Sequence, residues 1–129
     1  MIYPLAYSTW GKEELEAIQR VCDSDMYTMG KHVKQFENEF ADVFGSENAV
    51  MVNSGSSANL LMLSLLKWKY KLTGDIIVPV VGWATTYFPI SQNGFKINFV
   101  DVDKDTWNID VDKIEAAITP NTCAVMAVN

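Results

Sequence analysis

Ile76-Ile77-Val78-Pro79-Val80 restricts the possible folds more than any other stretch of this chain. It is a continuous apolar, β-branched run with no polar position to face water. Such a strand is buried on both faces, as in a parallel sheet covered by helices. The flanking pattern supplies those helices. Helical spacing covers Ser56–Lys71, which is apolar nearly all round in its first half, and a shorter helix is expected over Trp83–Gln92, closed by Asn93-Gly94. Strand Lys96–Val100 follows. Asp110 then stands as N-cap of Val111–Ile118, with Ile109 and Ile114 placed as a hydrophobic staple, and Thr119-Pro120-Asn121 ends that helix. Ala49–Asn53 and Cys123–Val128 read as further strands. This alternation predicts an α/β fold with a mostly parallel sheet and flanking helices.

Two amphipathic helices precede that region. Lys12–Cys22 carries Leu15, Ile18 and Cys22 on one stripe, with Glu13 and Glu14 in the first turn. Lys31–Phe44 repeats Val33, Phe36, Phe40 and Phe44 at helical spacing and stops at Gly45. The first half of Ser56–Lys71 and both cysteines, Cys22 and Cys123, are expected to be buried. The two thiols are too few and too far apart for a disulfide framework or a metal site, and they suit a reducing cytoplasm. A net charge of −6 argues against nucleic acid and anionic membrane surfaces as partners. No apolar run reaches membrane-spanning length, and residues 1–20 lack a signal-peptide pattern. Asn129 closes an apolar strand with no helix to cover it, so a fold cut partway is expected.

The candidate chemistry lies at strand ends, where open α/β sheets bind ligands. Asn53-Ser54-Gly55-Ser56-Ser57 joins a strand to a helix and leaves unpaired backbone N–H groups at the helix start. The helix dipole and the serine hydroxyls make that turn a seat for a phosphate, and Gly55 allows close approach. Ordinary serine capping explains the same residues equally well. Val81-Gly82-Trp83-Ala84-Thr85-Thr86 follows the buried strand, and Trp83 there could present its indole to a flat heteroaromatic ring or simply pack in the core. Asp101, Asp103, Asp105 and Asp112 imitate part of a calcium loop. However, Thr106 stands where glycine is needed and a strand precedes the loop, so a solvated turn is the preferred reading. His32 has no partner in sequence and is assigned no chemistry. No metal site is assigned.

Taken together, these motifs resemble the N-terminal portion of the DegT/DnrJ/EryC1/StrS family of pyridoxal-phosphate (PLP) sugar aminotransferases and dehydratases. The resemblance rests on Tyr3-Pro-Leu-Ala, Ser8-Thr-Trp10, Met26-Tyr-Thr-Met-Gly30, Phe36…Phe40…Phe44-Gly45, Asn53-Ser-Gly-Ser-Ser-Ala-Asn59, Val78-Pro-Val-Val-Gly-Trp83 and Phe99-Val-Asp-Val-Asp103. Trp83-Ala-Thr-Thr-Tyr87 with the first two motifs looks nearest to the branch of 3-dehydratases acting on a GDP-linked 4-keto-6-deoxymannose. The resemblance implies a partial type I aminotransferase large domain. A helical segment would occupy residues 1–45 and the opening part of the PLP-binding domain residues 46–129.

By the same resemblance, Gly55, Ser56 and Ser57 hold the cofactor phosphate, Trp83 stacks on the pyridine ring, and Thr28, Met29 and Gly30 lie near the substrate mouth beside a partner subunit. The implied complete protein is a cytoplasmic homodimer in polysaccharide or deoxyaminosugar biosynthesis. It would use a nucleotide-linked 4-keto-6-deoxy sugar, with an amino acid such as glutamate as amino donor. The family's Schiff-base lysine, whose position histidine takes in the dehydratases, has no counterpart here, nor does the acid that pairs with the pyridine nitrogen. Lys67, Lys69, Lys71 and Lys96 do not match the catalytic position, so these residues alone are expected to be inactive. The rival expectation is a non-catalytic α/β phosphate-binding or interaction domain. A dinucleotide site is disfavoured because the turn at Ser54–Ser57 lacks G-x-G-x-x-G.

Overall fold

The computed structural model describes Pro4 and residues 6–128, so Tyr3 and Leu5 of the N-terminal motif, and Asn129, lie outside the described residues. The chain divides into two compact units, Met1–Met51 and Val52–Asn129.

The first unit holds α1 (Lys12–Asp23) and α2 (Lys31–Phe44). Gly11 caps α1, and its amide donates to the Glu14 carboxylate at 2.7 Å. That bond holds the Glu14 pKa below its ordinary value. Gly45 closes α2 in the left-handed conformation at φ 63°, which a residue without Cβ adopts freely. Phe36, Phe40 and Phe44 form a ladder of rings, with centroids 5.6 and 4.5 Å apart. The apolar stripe of α1 is not covered: Leu15 and Ile18 are exposed, and Cys22 is exposed where burial was expected. Amphipathic spacing shows which side of a helix seeks a partner but does not supply one.

The second unit runs α3 (Gly55–Trp68), β1 (Asp75–Pro79), α4 (Ala84–Gln92), β2 (Lys96–Val100), α5 (Val111–Ala117) and β3 (Thr122–Val125). The three strands are parallel in the order β2-β1-β3. Passing from β1 to β2 and then back across β1 to β3 reverses the direction of travel. With right-handed crossovers, that reversal sends the two connecting helices to opposite faces.

The packing follows. Ile76 and Val78 point to one face and join Leu63 of α3, Ile90 of α4 and Phe95. Ile77 points to the other and joins Val100, Ile109 and, from α5, Ile114. Ile76, Ile77 and Val78 are fully buried, as a continuous apolar run on a central strand requires. Asp110 caps α5, its side chain accepting from the Asp112 amide.

Two expectations are corrected here. Residues 49–53 form no strand: among the described residues the only sheet is β2-β1-β3, and this segment has no place in its ladder. The Met51 amide donates instead to the Glu37 carboxylate at 3.0 Å. A strand needs a neighbour to receive its amides, and apolar pattern alone does not provide one. The first half of α3 is also less buried than its composition suggests. Leu63 is 3% exposed, while Leu60, Leu61, Met62 and Leu65 are 40–52% exposed. Only one side of the helix meets the sheet.

Candidate functional site

The start of α3 is built by Ser54. Its backbone is extended at φ −164° and its hydroxyl accepts from the Ser57 amide at 3.2 Å. The Ser57 hydroxyl donates to Asn53 Oδ1 at 2.6 Å, fixing the turn from its other side. The Ala58 amide donates to the Ser54 carbonyl, which begins the helical ladder. Among the described residues this leaves the Gly55 and Ser56 amides without acceptors, at the positive end of a 14-residue helix. No carboxylate stands in the first turn to neutralise that end. A Cβ placed on Gly55 would meet nothing within 4 Å, so the turn opens outward.

The loop after β1 ends beside this helix. Trp83 is the N-cap of α4, and its indole is 76% exposed. Two contacts hold the loop. The Tyr87 hydroxyl donates to the Pro79 carbonyl at 3.0 Å and arches over Gly82, where an added Cβ would lie 2.7 Å from Oη. Burial raises the Tyr87 pKa, which keeps the phenol a donor. On the other side, the Asn59 amide of α3 donates to the Thr85 carbonyl of α4 at 3.3 Å. Helices α3 and α4 share one face of the sheet, so Ser54–Ser57 and Trp83 lie on the same side of it. The loop also sits at the carboxyl end of β1, where the strand order reverses, the usual ligand position in an open parallel sheet.

The remaining sequence candidates fall elsewhere. Thr28, Met29 and Gly30 belong to the first unit, where Thr28 and Gly30 line a cavity of about 460 Å3 with Val21, Met26, Tyr27 and His32 among others, and Met29 is exposed outside that lining. Gly30 caps α2. Asp103 closes a turn: its Oδ1 accepts from the Asp105 amide, the Thr106 amide and the Thr106 hydroxyl at 2.8–3.1 Å. Those bonds hold the Asp103 pKa below its ordinary value. Among the described residues no group of three histidine, cysteine or acidic side chains is placed to hold a metal. Asn59, Tyr87 and Pro89 carry structural parts in the site that the sequence reading did not assign to them.

The described residues thus place a donor-rich helix start and an exposed indole on one side of an α/β sheet. The chain's family is shown by comparison with known proteins. The model of the DegT/DnrJ/EryC1/StrS aminotransferase family matches residues 8–129, and the chain belongs to that family. Over 98% of its length it is 56% identical to a GDP-4-keto-6-deoxy-D-mannose 3-dehydratase of Yersinia pseudotuberculosis and 52% identical to that of Escherichia coli O55:H7. It spans about a third of the length of each, 33% and 34%. The solved E. coli GDP-4-keto-6-deoxy-D-mannose-3-dehydratase with bound hydrated PLP superposes with a TM-score of 0.90 at 51% identity, over 99% of this chain and 34% of that one. The α/β fold is therefore part of the PLP aminotransferase fold.

Proposed function

We propose that this chain forms the phosphate and ring-stacking side of a PLP site in a GDP-4-keto-6-deoxymannose 3-dehydratase. The observation that carries the reading is the placement of the free Gly55 and Ser56 amides and the exposed Trp83 indole on one side of the sheet, at one strand end. The chemistry of that donor set fits the group. Neutral amides and hydroxyls with no competing carboxylate suit a phosphate dianion, and an uncovered indole face suits a flat heteroaromatic ring.

PLP, when bound, supplies an electron sink for bonds next to the sugar carbonyl. The residues here anchor and orient. Gly55 and Ser56 would hold the phosphate through backbone N–H groups, Ser57 would fix the turn through its bond to Asn53, and Trp83 would cover one ring face. In this reading residues 1–45 are a helical segment and residues 46–129 part of the large domain. Thr28, Met29 and Gly30 lie toward the nucleotide sugar in a cytoplasmic homodimer. Relatives above 50% identity that are 3-dehydratases favour dehydration over amino transfer.

The test has two stages. PLP should quench Trp83 emission, inorganic phosphate should compete, and pyridoxal without its phosphate should bind far more weakly. Unchanged PLP affinity in both Ser56→Glu and Trp83→Ala overturns the site. The complete polypeptide carrying this sequence, given PLP, glutamate and GDP-4-keto-6-deoxymannose, should remove the 3-hydroxyl and leave no nitrogen on the sugar. An aminated sugar would assign amino transfer instead.

A further inference from the structure

Pro89 sits six residues into α4 and has no N–H. In a helix that N–H would bond the carbonyl four residues earlier, which is Thr85, and the proline ring also pushes that carbonyl outward. The freed Thr85 carbonyl is the one that receives the Asn59 side-chain amide at 3.3 Å. Asn59 lies one helical turn after Gly55 and Ser56, on their side of α3. Thr85 lies two residues after Trp83, in the first turn of α4. One hydrogen bond thus joins the helix turn that carries the free amides to the helix turn that carries the indole.

We infer that Asn59 is a positioning residue. Its amide replaces the donor that Pro89 lacks, and by doing so fixes Trp83 in place relative to Ser54–Ser57. The Tyr87 bond to the Pro79 carbonyl fixes the other end of the same loop, so the loop is held at both sides without burying Trp83. The functional consequence, alignment of ring and phosphate, rests on the PLP reading above. The bond itself does not.

The test uses the complete polypeptide labelled with 5-fluorotryptophan, its Trp83 resonance assigned by loss in Trp83→Phe. Without ligand, Asn59→Ala should shift and broaden the Trp83 resonance and leave those of Trp10, Trp68 and Trp107 in place. Pro89→Ala restores an amide to the Thr85 carbonyl, so adding Asn59→Ala to that variant should leave the Trp83 resonance unmoved. If Asn59→Ala alone does not fold, the double variant should recover the fold. With PLP added, Asn59→Ala should bind about 5-fold more weakly than wild type, the size of one net hydrogen bond. In the Pro89→Ala background that loss should vanish.

An unmoved Trp83 resonance in Asn59→Ala, or an equal change in both backgrounds, overturns the inference. So does an unfolded Asn59→Ala that Pro89→Ala does not recover. A wild-type Trp83 resonance indifferent to PLP would overturn the cofactor reading alone, while the ligand-free comparison still decides the role of Asn59.

Discussion

Gly74→Ala tests how tightly the sheet is registered at the entry to β1. Gly74 has φ 122°, a conformation that L-residues rarely adopt, and forcing alanine there costs about 2 kcal/mol. A Cβ at this position would also run into the Asn121 carbonyl oxygen. That carbonyl cannot simply move away, because it accepts from the Asp75 amide at 2.9 Å, while the Gly74 carbonyl accepts from the Lys96 amide at 3.0 Å. One peptide therefore ties β1 to the starts of both neighbouring strands. Relieving the clash separates β1 from β3 at that end and loses the Asp75–Asn121 bond, about 1 kcal/mol more.

The expected total is about 3 kcal/mol or above. With a urea slope of about 1.5 kcal/mol/M, the unfolding midpoint drops by about 2 M, or the cooperative transition disappears. Gly94→Ala is the control. Gly94 has φ 72°, but a Cβ there would meet nothing within 4 Å, so it bears only the backbone cost of about 1 kcal/mol. Equal midpoints for the two variants would refute the reasoning, since only Gly74→Ala carries the collision with Asn121 and the less favourable φ.

Three further outcomes are expected. The bonds to Asp103 hold its pKa below the ordinary value, so their contribution is complete above the ordinary carboxylate range and is lost as pH falls through the depressed value. Protection of the Asp105 and Thr106 amides, taken relative to the intrinsic exchange rate at each pH, should be lost only in that acid window, and loss of protection near neutral pH would contradict the assignment. Borohydride reduction of the 129-residue polypeptide with PLP should label no single lysine, and mass spectrometry showing one specific site would overturn its expected inactivity. The same polypeptide should self-associate through uncovered apolar side chains such as Phe36, Phe40, Val43 and Phe44, as light scattering over a dilution series would reveal, with a monomer at all concentrations as the contrary result.

The second unit was the more legible part of the sequence, because its signals are local. The β-branched run at Ile76–Val78, the Asp110 cap and the Asn93-Gly94 stop each act within a few residues, and β2 has the bounds that the pattern predicts, as does α2 in the first unit. Ala49–Asn53 was misread because its strand character depends on a partner, and no partner stands beside it among the described residues. The exposed side of α3 and the exposed Cys22 have the same origin. Apolar pattern records what a side chain prefers to contact, whereas burial also depends on what is present. At the site, Ser54–Ser57 were legible as a helix start and Trp83 as a residue just past the end of β1, while the strand expected before Ser54 is absent among the described residues. Asn59 was not legible, although a proline inside the Trp83–Gln92 helix implied an unpaired carbonyl at Thr85. The identity of the donor that would satisfy it depended on tertiary placement.

The exposure of Trp83 gives these contacts their meaning. Burying an indole is among the most stabilising things a small domain can do, since the side chain removes 150–250 Å2 from water. This unit leaves its Trp83 76% exposed and fixes the surrounding loop through polar contacts instead. Each such bond returns only about 1 kcal/mol net, less than burial of the ring would yield. In the PLP reading proposed above, a flat surface held in a fixed place beside free helix-terminal amides offers an arriving cofactor groups that are already ordered, so little further entropy would be lost on binding. The same logic explains why Pro89 is tolerated inside α4. It removes a bond within one helix and leaves a carbonyl that the neighbouring helix bonds through Asn59, converting a local hydrogen bond into a tertiary one.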